Sequence, residues 1–495
     1  MPKVSHLTLV VCLLLVHFFL RTRNITQFEP YVDEGYHIRR GAIVWDFEVH
    51  PGRFAHGKVL LYFWLGLFDG PPTTNLAASR LSNALFSILT GAAIYQLGRT
   101  LHKPISGIFA LTIYMLLPLA FFFERMALAD PFASGFVTVL AWRSLVFAKR
   151  PTLKQGAIVG VLVGLATLAK LTMGAVALLP VGATACFYDW RRGLWRFDRR
   201  YFRGLVMMVV TALMLWLPIL IPALFAHLNG DPFIIVNEFN IQRGDSFAPR
   251  GPLDYLAADL PAVAEFTSLV LLAGAGLALV WMLYVLRWQA LFLMFWLVSV
   301  SILVVLFARV ITVRYLMPVA TPLSLTLGLA LGYMWLRRRL RPVIVALLAT
   351  WALTFALPFA NTEPKALSFS DSNQFDFHSG FFTADDVVRE ATAWLDSAPE
   401  SGTVYATREA CHLMYFYSNR LPLRCLDIDP IPTFGQILLN ELRPGEVAYL
   451  VISGYYGPFH LGIDWLMSEE LELSNPPQYQ GPGYEFRVWK IWSER

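Results

Sequence analysis

Ten residues, Tyr31-Val32-Asp33-Glu34-Gly35-Tyr36-His37-Ile38-Arg39-Arg40, place two carboxylates, an imidazole and two guanidiniums directly after the first apolar segment of the chain. Charge is costly beside hydrocarbon, and where it gathers it marks a site or a pathway. Asp33 is the candidate general base, because a carboxylate held there can take the proton of an attacking hydroxyl. The structural alternative is that Asp33 and Glu34 cap a helix and complement its dipole. In a helix, Asp33 and His37 would lie one turn apart on one face. That spacing also suits a metal, since carboxylate and imidazole are common ligands. No second ligand pair of the HExxH type accompanies it. The chemistry therefore requires no cofactor, and a divalent metal has no further support.

A second cluster is Glu124-Arg125-Met126-Ala127-Leu128-Ala129-Asp130-Pro131. Pro131 suits a first helical turn, and Asp130 suits the N-cap just before it. Arg125 has Glu124 and Asp130 as candidate ion-pair partners. Read functionally, Asp130 is a second acidic group facing Asp33 across a cavity. A third group is basic: Lys58, Arg80, Lys170 and Arg314, the last followed by Tyr315. A single Lys or Arg at a span end snorkels by default. Several on the face that also carries the carboxylates suggest an anion, and a phosphate fits, because Arg binds it bidentately and Lys as a point charge. Asp33 and Asp130 are thus the candidates for catalysis. Glu34, Lys58, Arg80, Arg125, Lys170, Arg314 and Tyr315 are the candidates for substrate contact.

The elements that must position these groups are helices in a bilayer. The chain has 495 residues, 56% of them hydrophobic and only 15% charged, with a mean hydropathy of +0.52. A soluble protein would carry about 25% charge. The net charge of +5 is not a nucleic-acid signal, since most basic residues sit in short loops between apolar segments, where orientation explains them. With about 20 apolar residues per span, candidates are Leu7–Leu20, Arg80–Leu97, Ile105–Phe123, Phe132–Phe147, Gly156–Ala169, Leu171–Phe187, Leu205–Phe225, Phe266–Leu286, Leu291–Phe307, Val319–Leu336 and Val343–Phe359, about eleven in all. The two around Lys170 are short enough to be one broken helix. The first segment lacks a small-residue cleavage site and reads as an uncleaved span.

Loop charges orient these spans. Arg99, Lys103, Arg143, Lys149, Arg150, Lys154, Arg191, Arg192, Arg196, Arg199, Arg200, Arg203, Arg287 and the Arg337–Arg341 run all fall on one side if the N-terminus is cytoplasmic. The far side then receives the Asp33 loop, Glu124–Asp130, Lys170, Arg314 and everything after Asn361. Residues 1–360 read as the membrane domain and 361–495 as an extracytoplasmic soluble domain. There Thr383 is a candidate N-cap with Asp386 at the third helical position, for a helix ending near Asp396. Strand-like runs follow at Gly402–Ala406, Glu446–Ser453 and Glu485–Trp492. A small α/β domain results. Cys411 and Cys425 lie in it and could pair in an oxidising compartment.

The ordered set of motifs resembles a known family. It comprises Asp33-Glu34 after span one, Lys58 before span two, Arg125 followed by Asp130-Pro131 after span three, Gly164-Leu165-Ala166-Thr167-Leu168-Ala169-Lys170, and Arg314-Tyr315-Leu316-Met317-Pro318. Over about residues 1–340 this resembles the polyprenyl-phosphate-sugar-dependent glycosyltransferases of the GT-C fold, in particular the protein O-mannosyltransferases and lipid A aminoarabinose transferases. The resemblance implies a polytopic α-helical protein that moves a sugar from a polyprenyl-phosphate-linked donor, with inversion, to an acceptor (protein, lipid or glycan) outside the plasma membrane of a bacterium. It implies Asp33 as catalytic base, Asp130 as the second acidic position, and Lys58 and Arg314 as phosphate contacts. Gly57 departs from relatives that carry an acidic residue before the lysine. A transporter or flippase of a lipid-linked anion, or a non-catalytic lipid-binding scaffold, would explain the membrane and the cations. Neither explains the gathering of carboxylates and cations on one face, since transporters bury polar groups at the bilayer midplane.

Overall fold

A computed structural model describes residues 6–47, 50–53, 57–188, 199–229, 261–307, 313–362, 367, 386–398, 402–417, 423–426, 442, 446–453, 471–473, 479–480 and 486–493. The candidate cap Thr383 lies outside them. The chain divides into two compact units. The first takes Met1–Ile25, Arg40–Leu67 and Arg80–Ser370; the second takes Thr26–Arg39, Phe68–Ser79 and Asp371–Arg495.

The first unit is helical. Its elements in chain order begin with α1 (His6–Thr22), the second half of α2 (Val32–Val44), α3 (Val59–Gly66), α4 (Pro72–Leu101), α5 (Pro104–Leu116), α6 (Pro118–Phe123), α7 (Ala129–Lys149), α8 (Leu153–Ala169), α9 (Leu179–Phe187) and α10 (Arg199–Leu228). Helices Leu269–Val285, Arg287–Phe307, Met317–Trp335 and Arg341–Trp351 follow. Every apolar segment named above falls on helical structure. Among the described residues, four helices are long and apolar enough to cross a membrane, or five if Pro261–Thr267 and Leu269–Val285, bent by 87°, form one span. Several others are shortened by breaks. Pro118 cannot continue α5, so the chain is extended at Leu117 before α6 begins. Lys170 is extended at φ −157 and ψ 116 and turns α8 into a 3-10 segment, Leu171–Leu178.

Close packing relies on small residues, as expected where lipid removes the hydrophobic drive between helices. Gly156 and Gly160 lie one turn apart on α8. A Cβ on Gly156 would stand 2.1 Å from the Gly204 carbonyl of α10, and one on Gly160 the same distance from that of Met208.

The second unit is built on a sheet ordered β2-β1-β3-β6-β4, with β5 also on β6. Its strands are β1 (Val404–Thr407), β2 (Leu423–Leu426), β3 (Val447–Ser453), β4 (Leu471–Leu473), β5 (Tyr479–Gln480) and β6 (Phe486–Ser493). β1 pairs in parallel with β2 and β3, and β6 runs antiparallel to β3 and β4. Helices Asp386–Asp396 and Arg408–Met414 contribute Val388, Ala391, Leu395, Ala410, Leu413 and Met414 to its core. Val32, from the start of α2, is buried in that same core. This explains why residues 26–39 fall with the C-terminal region. Burying one such side chain is worth about 1.5–3 kcal/mol.

Cys411 and Cys425 form a disulfide, with Cα atoms 5.4 Å apart across a sequence separation of 14. It fastens helix Arg408–Met414 to β2. A loop of this size gives about 3 kcal/mol in the chain-entropy account. Cys425→Ser is expected to lower the unfolding free energy by that amount. Denaturant unfolding followed by the near-ultraviolet signal of the C-terminal aromatics measures it, and an unchanged midpoint would contradict it.

Candidate active site

Asp33 and Glu34 both stand in the first turn of α2, but they are not equivalent. Glu34 is fully buried. Its carboxylate accepts from the Tyr31 backbone N–H at 3.0 Å, the reach-back half of a capping box. The capping reading therefore holds for Glu34. Asp33 is half-buried and retains access to solvent. On a helix His37 lies one turn beyond Asp33, and it is buried at 1% exposure. Among the described residues, no three His, Cys, Asp or Glu side chains gather in a way that could hold a metal ion.

In the first unit, four segments far apart in sequence converge. Asp130 is in the first turn of α7, whose N-cap is Leu128, so the expected capping role of Asp130 is corrected: it is the second residue of the helix. Its carboxylate accepts an ion-paired hydrogen bond from Lys170 Nζ, which projects from the break after α8. Lys170 Nζ also lies 4.2 Å from the centre of the Tyr315 ring, and the Arg314 guanidinium stands 5.3 Å from that same ring. Both contacts fall within cation–π range. Lys170 and Arg314 are each only 9% exposed, a placement that cations tolerate only when paired. Ser134 on α7 donates to the Met317 carbonyl at 3.2 Å, tying this helix to the turn that carries Arg314.

Lys58 joins the group through its neighbour. The Leu171 N–H, next to Lys170, donates to the Gly57 carbonyl at 2.8 Å. Gly57 has φ +69, a left-handed conformation that glycine adopts without strain. Glycine suits this position, because the backbone turn makes the contact there. Lys58 then starts α3 at its N-cap.

Arg80 and Arg125, the other two candidate cations, bond to backbone carbonyls within the same unit. Arg80 donates to the Ile25 carbonyl at 2.9 Å, and Arg125 to those of Arg23 and Asn24 at 2.7 and 2.9 Å. Both are buried and hold the chain where it leaves α1. The proposed Glu124–Arg125 pairing is replaced by another: Glu124 accepts from Arg21 Nε at 2.9 Å and from the Tyr114 hydroxyl at 2.7 Å. His17 stands 3.6 Å from the same carboxylate. Asn83 donates to the carbonyls of Met126 and Leu128 at 2.8 and 3.2 Å. Together these fix the loop that delivers Asp130. Arg21 and its bond to Glu124 were not among the residues singled out from the sequence. The available signal was a histidine and an arginine, His17 and Arg21, one turn apart on an apolar helix.

Residues 67–221 match the family model described as Dolichyl-phosphate-mannose-protein mannosyltransferase. No curated protein sequence matches the chain. Among solved structures, ArnT from Cupriavidus metallidurans in the apo state is similar at a TM-score of 0.60, with 16% identity, covering 98% of this chain and 97% of that one. The same protein bound to undecaprenyl phosphate gives 0.59 at 15% identity, with the same coverage. The Archaeoglobus fulgidus oligosaccharyltransferase AglB, in complex with an inhibitory peptide and a dolichol-phosphate, gives 0.54 at 13% identity, covering 90% of this chain and 69% of that one.

Proposed function

We propose that this chain, which has the GT-C fold of membrane glycosyltransferases, moves a sugar from a polyprenyl-phosphate-linked donor to an acceptor hydroxyl. The observation that carries the reading is the convergence of Lys58, Lys170, Arg314, Tyr315 and Asp130 within one helical unit. Such a group suits a phosphate at the membrane surface. Structures with the same fold have been solved with undecaprenyl phosphate and with a dolichol-phosphate bound, which supports a donor of that class.

The reaction is a single displacement. The acceptor oxygen bonds to the anomeric carbon while the carbon–oxygen bond to the phosphate breaks, and configuration inverts. The acceptor proton passes to Asp33. The leaving polyprenyl phosphate keeps the bonding electrons, and Lys58, Lys170 and Arg314 stabilise its developing charge. Asp130 holds Lys170 in register. The half-buried setting of Asp33, beside a Glu34 already engaged in capping, supports assigning the base to Asp33. The positive loops favour a cytoplasmic N-terminus, with the transfer face and residues 361–495 outside the plasma membrane of a bacterium.

Purified protein in vesicles, given polyprenyl-phosphate mannose labelled in the sugar and candidate protein, lipid or glycan acceptors, tests the reading. Mannose is the first sugar to try because the matching family model names it. Labelled product supports the transferase. Uptake of label without product supports a lipid-linked anion transporter and overturns it, and the absence of both product and uptake overturns it in favour of a scaffold.

A further inference from the structure

We infer that the C-terminal region is a positioning device for Asp33, acting through a Glu29–Arg389–Tyr417 clamp and a backbone contact at Gly35. The inference rests on the reading of Asp33 as base, and it concerns only residues of the second unit.

A helical carboxylate stands wherever the rotation of its helix puts it. On α2, Val32, Gly35, Tyr36 and Arg39 share one face, and Asp33 lies about 100° around from Val32. That face is the one the C-terminal region grips. Val32 is in its core. A Cβ on Gly35 would stand 2.2 Å from the His412 carbonyl oxygen, so backbone meets backbone there. The Tyr36 ring meets the His412 ring edge-on at 5.1 Å. Arg39 reaches Cys411 Sγ and His412 Nδ1, each at 3.4 Å. The helix they press against, Arg408–Met414, is itself held to β2 by the disulfide. Asp33, off this face, keeps its partial exposure.

The clamp acts just ahead of α2. Glu29 accepts from Arg389 Nη2 at 2.7 Å and from the Tyr417 hydroxyl at 2.9 Å. The Arg389 guanidinium also stands 5.6 Å from the Tyr417 ring centre. Burial pushes the Tyr417 phenol well above its ordinary range and the Glu29 carboxylate pushes it further, so it remains a donor. Pro30 fixes one backbone torsion of the link between Glu29 and α2. The Arg389 side chain is 50% exposed, and an ion pair so placed adds little to global stability. Its work is therefore geometric. With side-chain tips roughly 5–6 Å from a helix axis, a rotation of about 10° moves the Asp33 carboxylate by ~1 Å. A misplacement of that size can cost about 10²-fold in rate.

The test uses the full chain in vesicles, with labelled polyprenyl-phosphate mannose and whichever acceptor gives product. Arg389→Gln is expected to lower kcat on the order of 10–100-fold, with the donor KM and melting temperature held. Amide hydrogen exchange should rise at Asp33–Tyr36. The charge-swapped pair Glu29→Lys with Arg389→Glu should return both readouts toward the parent. The inference is overturned if Arg389→Gln leaves kcat unchanged, whatever the exchange does. It is equally overturned if kcat falls in step with melting temperature and the swap restores nothing. Failure of the base reading is read separately, from full transfer by Asp33→Asn.

Discussion

Asp33→Asn is expected to abolish sugar transfer while the protein remains folded in the membrane. The carboxamide has nearly the same shape as the carboxylate, and Asn is well tolerated at the start of a helix. What it loses is the capacity to accept a proton, and a positioned general base contributes typically 10²–10⁴-fold. A loss of about that size in kcat, with unchanged melting temperature, is the expected result. Glu34→Gln is its natural control. Glu34 receives the Tyr31 N–H through one oxygen, and a glutamine oxygen can accept the same bond. Transfer by Glu34→Gln should stay near the parent level. Near-normal transfer by Asp33→Asn, or equal loss in both variants, would remove the assignment.

The second large effect concerns the pair in the helical unit. Lys170→Met is expected to destabilise the fold by about 3–5 kcal/mol, the usual consequence of leaving one member of a buried ion pair without its partner. Asp130 exposes only 4% of its side chain and cannot turn to water. Lys170→Met combined with Asp130→Asn removes both charges and should recover most of that stability. If Lys170 serves the donor phosphate, the double variant stays deficient in transfer despite its recovered fold. Thermal unfolding in detergent and the labelled-mannose assay separate the two roles. A neutral single variant would show that the pair is not buried as described. A fully active double variant would restrict Lys170 to structure.

Much of the helical unit could be read from the sequence, because long apolar runs leave few alternatives to helices in a bilayer. Breaks were harder. Leu117-Pro118 carries a visible cause, yet Ile105–Phe123 was read as one span, whereas the break at Lys170 was legible from the shortness of the two apolar runs beside it. In the C-terminal region, β1, β3 and β6 were found as strand-like runs, and the helix ending at Asp396 from its capping signal. β2, β4, β5 and helix Arg408–Met414 were not, since elements of two to seven residues carry too little pattern. The convergence of Lys170, Asp130, Arg314 and Lys58 was anticipated as a shared face but not as contacts. The Lys170–Asp130 bond spans 40 positions, and nothing local encodes it. The carbonyl bonds of Arg80 and Arg125 were not legible, for a definite reason. A buried guanidinium satisfies backbone carbonyls as readily as it binds phosphate, and sequence cannot separate the two.

The order of segments in the second unit bears on how such proteins can be re-engineered. Residues 26–39 and 68–79 belong with 371–495, so the chain enters that unit three times. A chimera that replaces only the tail after Asn361 would leave Val32, Glu29 and Gly35 facing a foreign surface. The second unit could therefore be transplanted only by moving all three stretches together, and recombination within a lineage would have to respect the same joints.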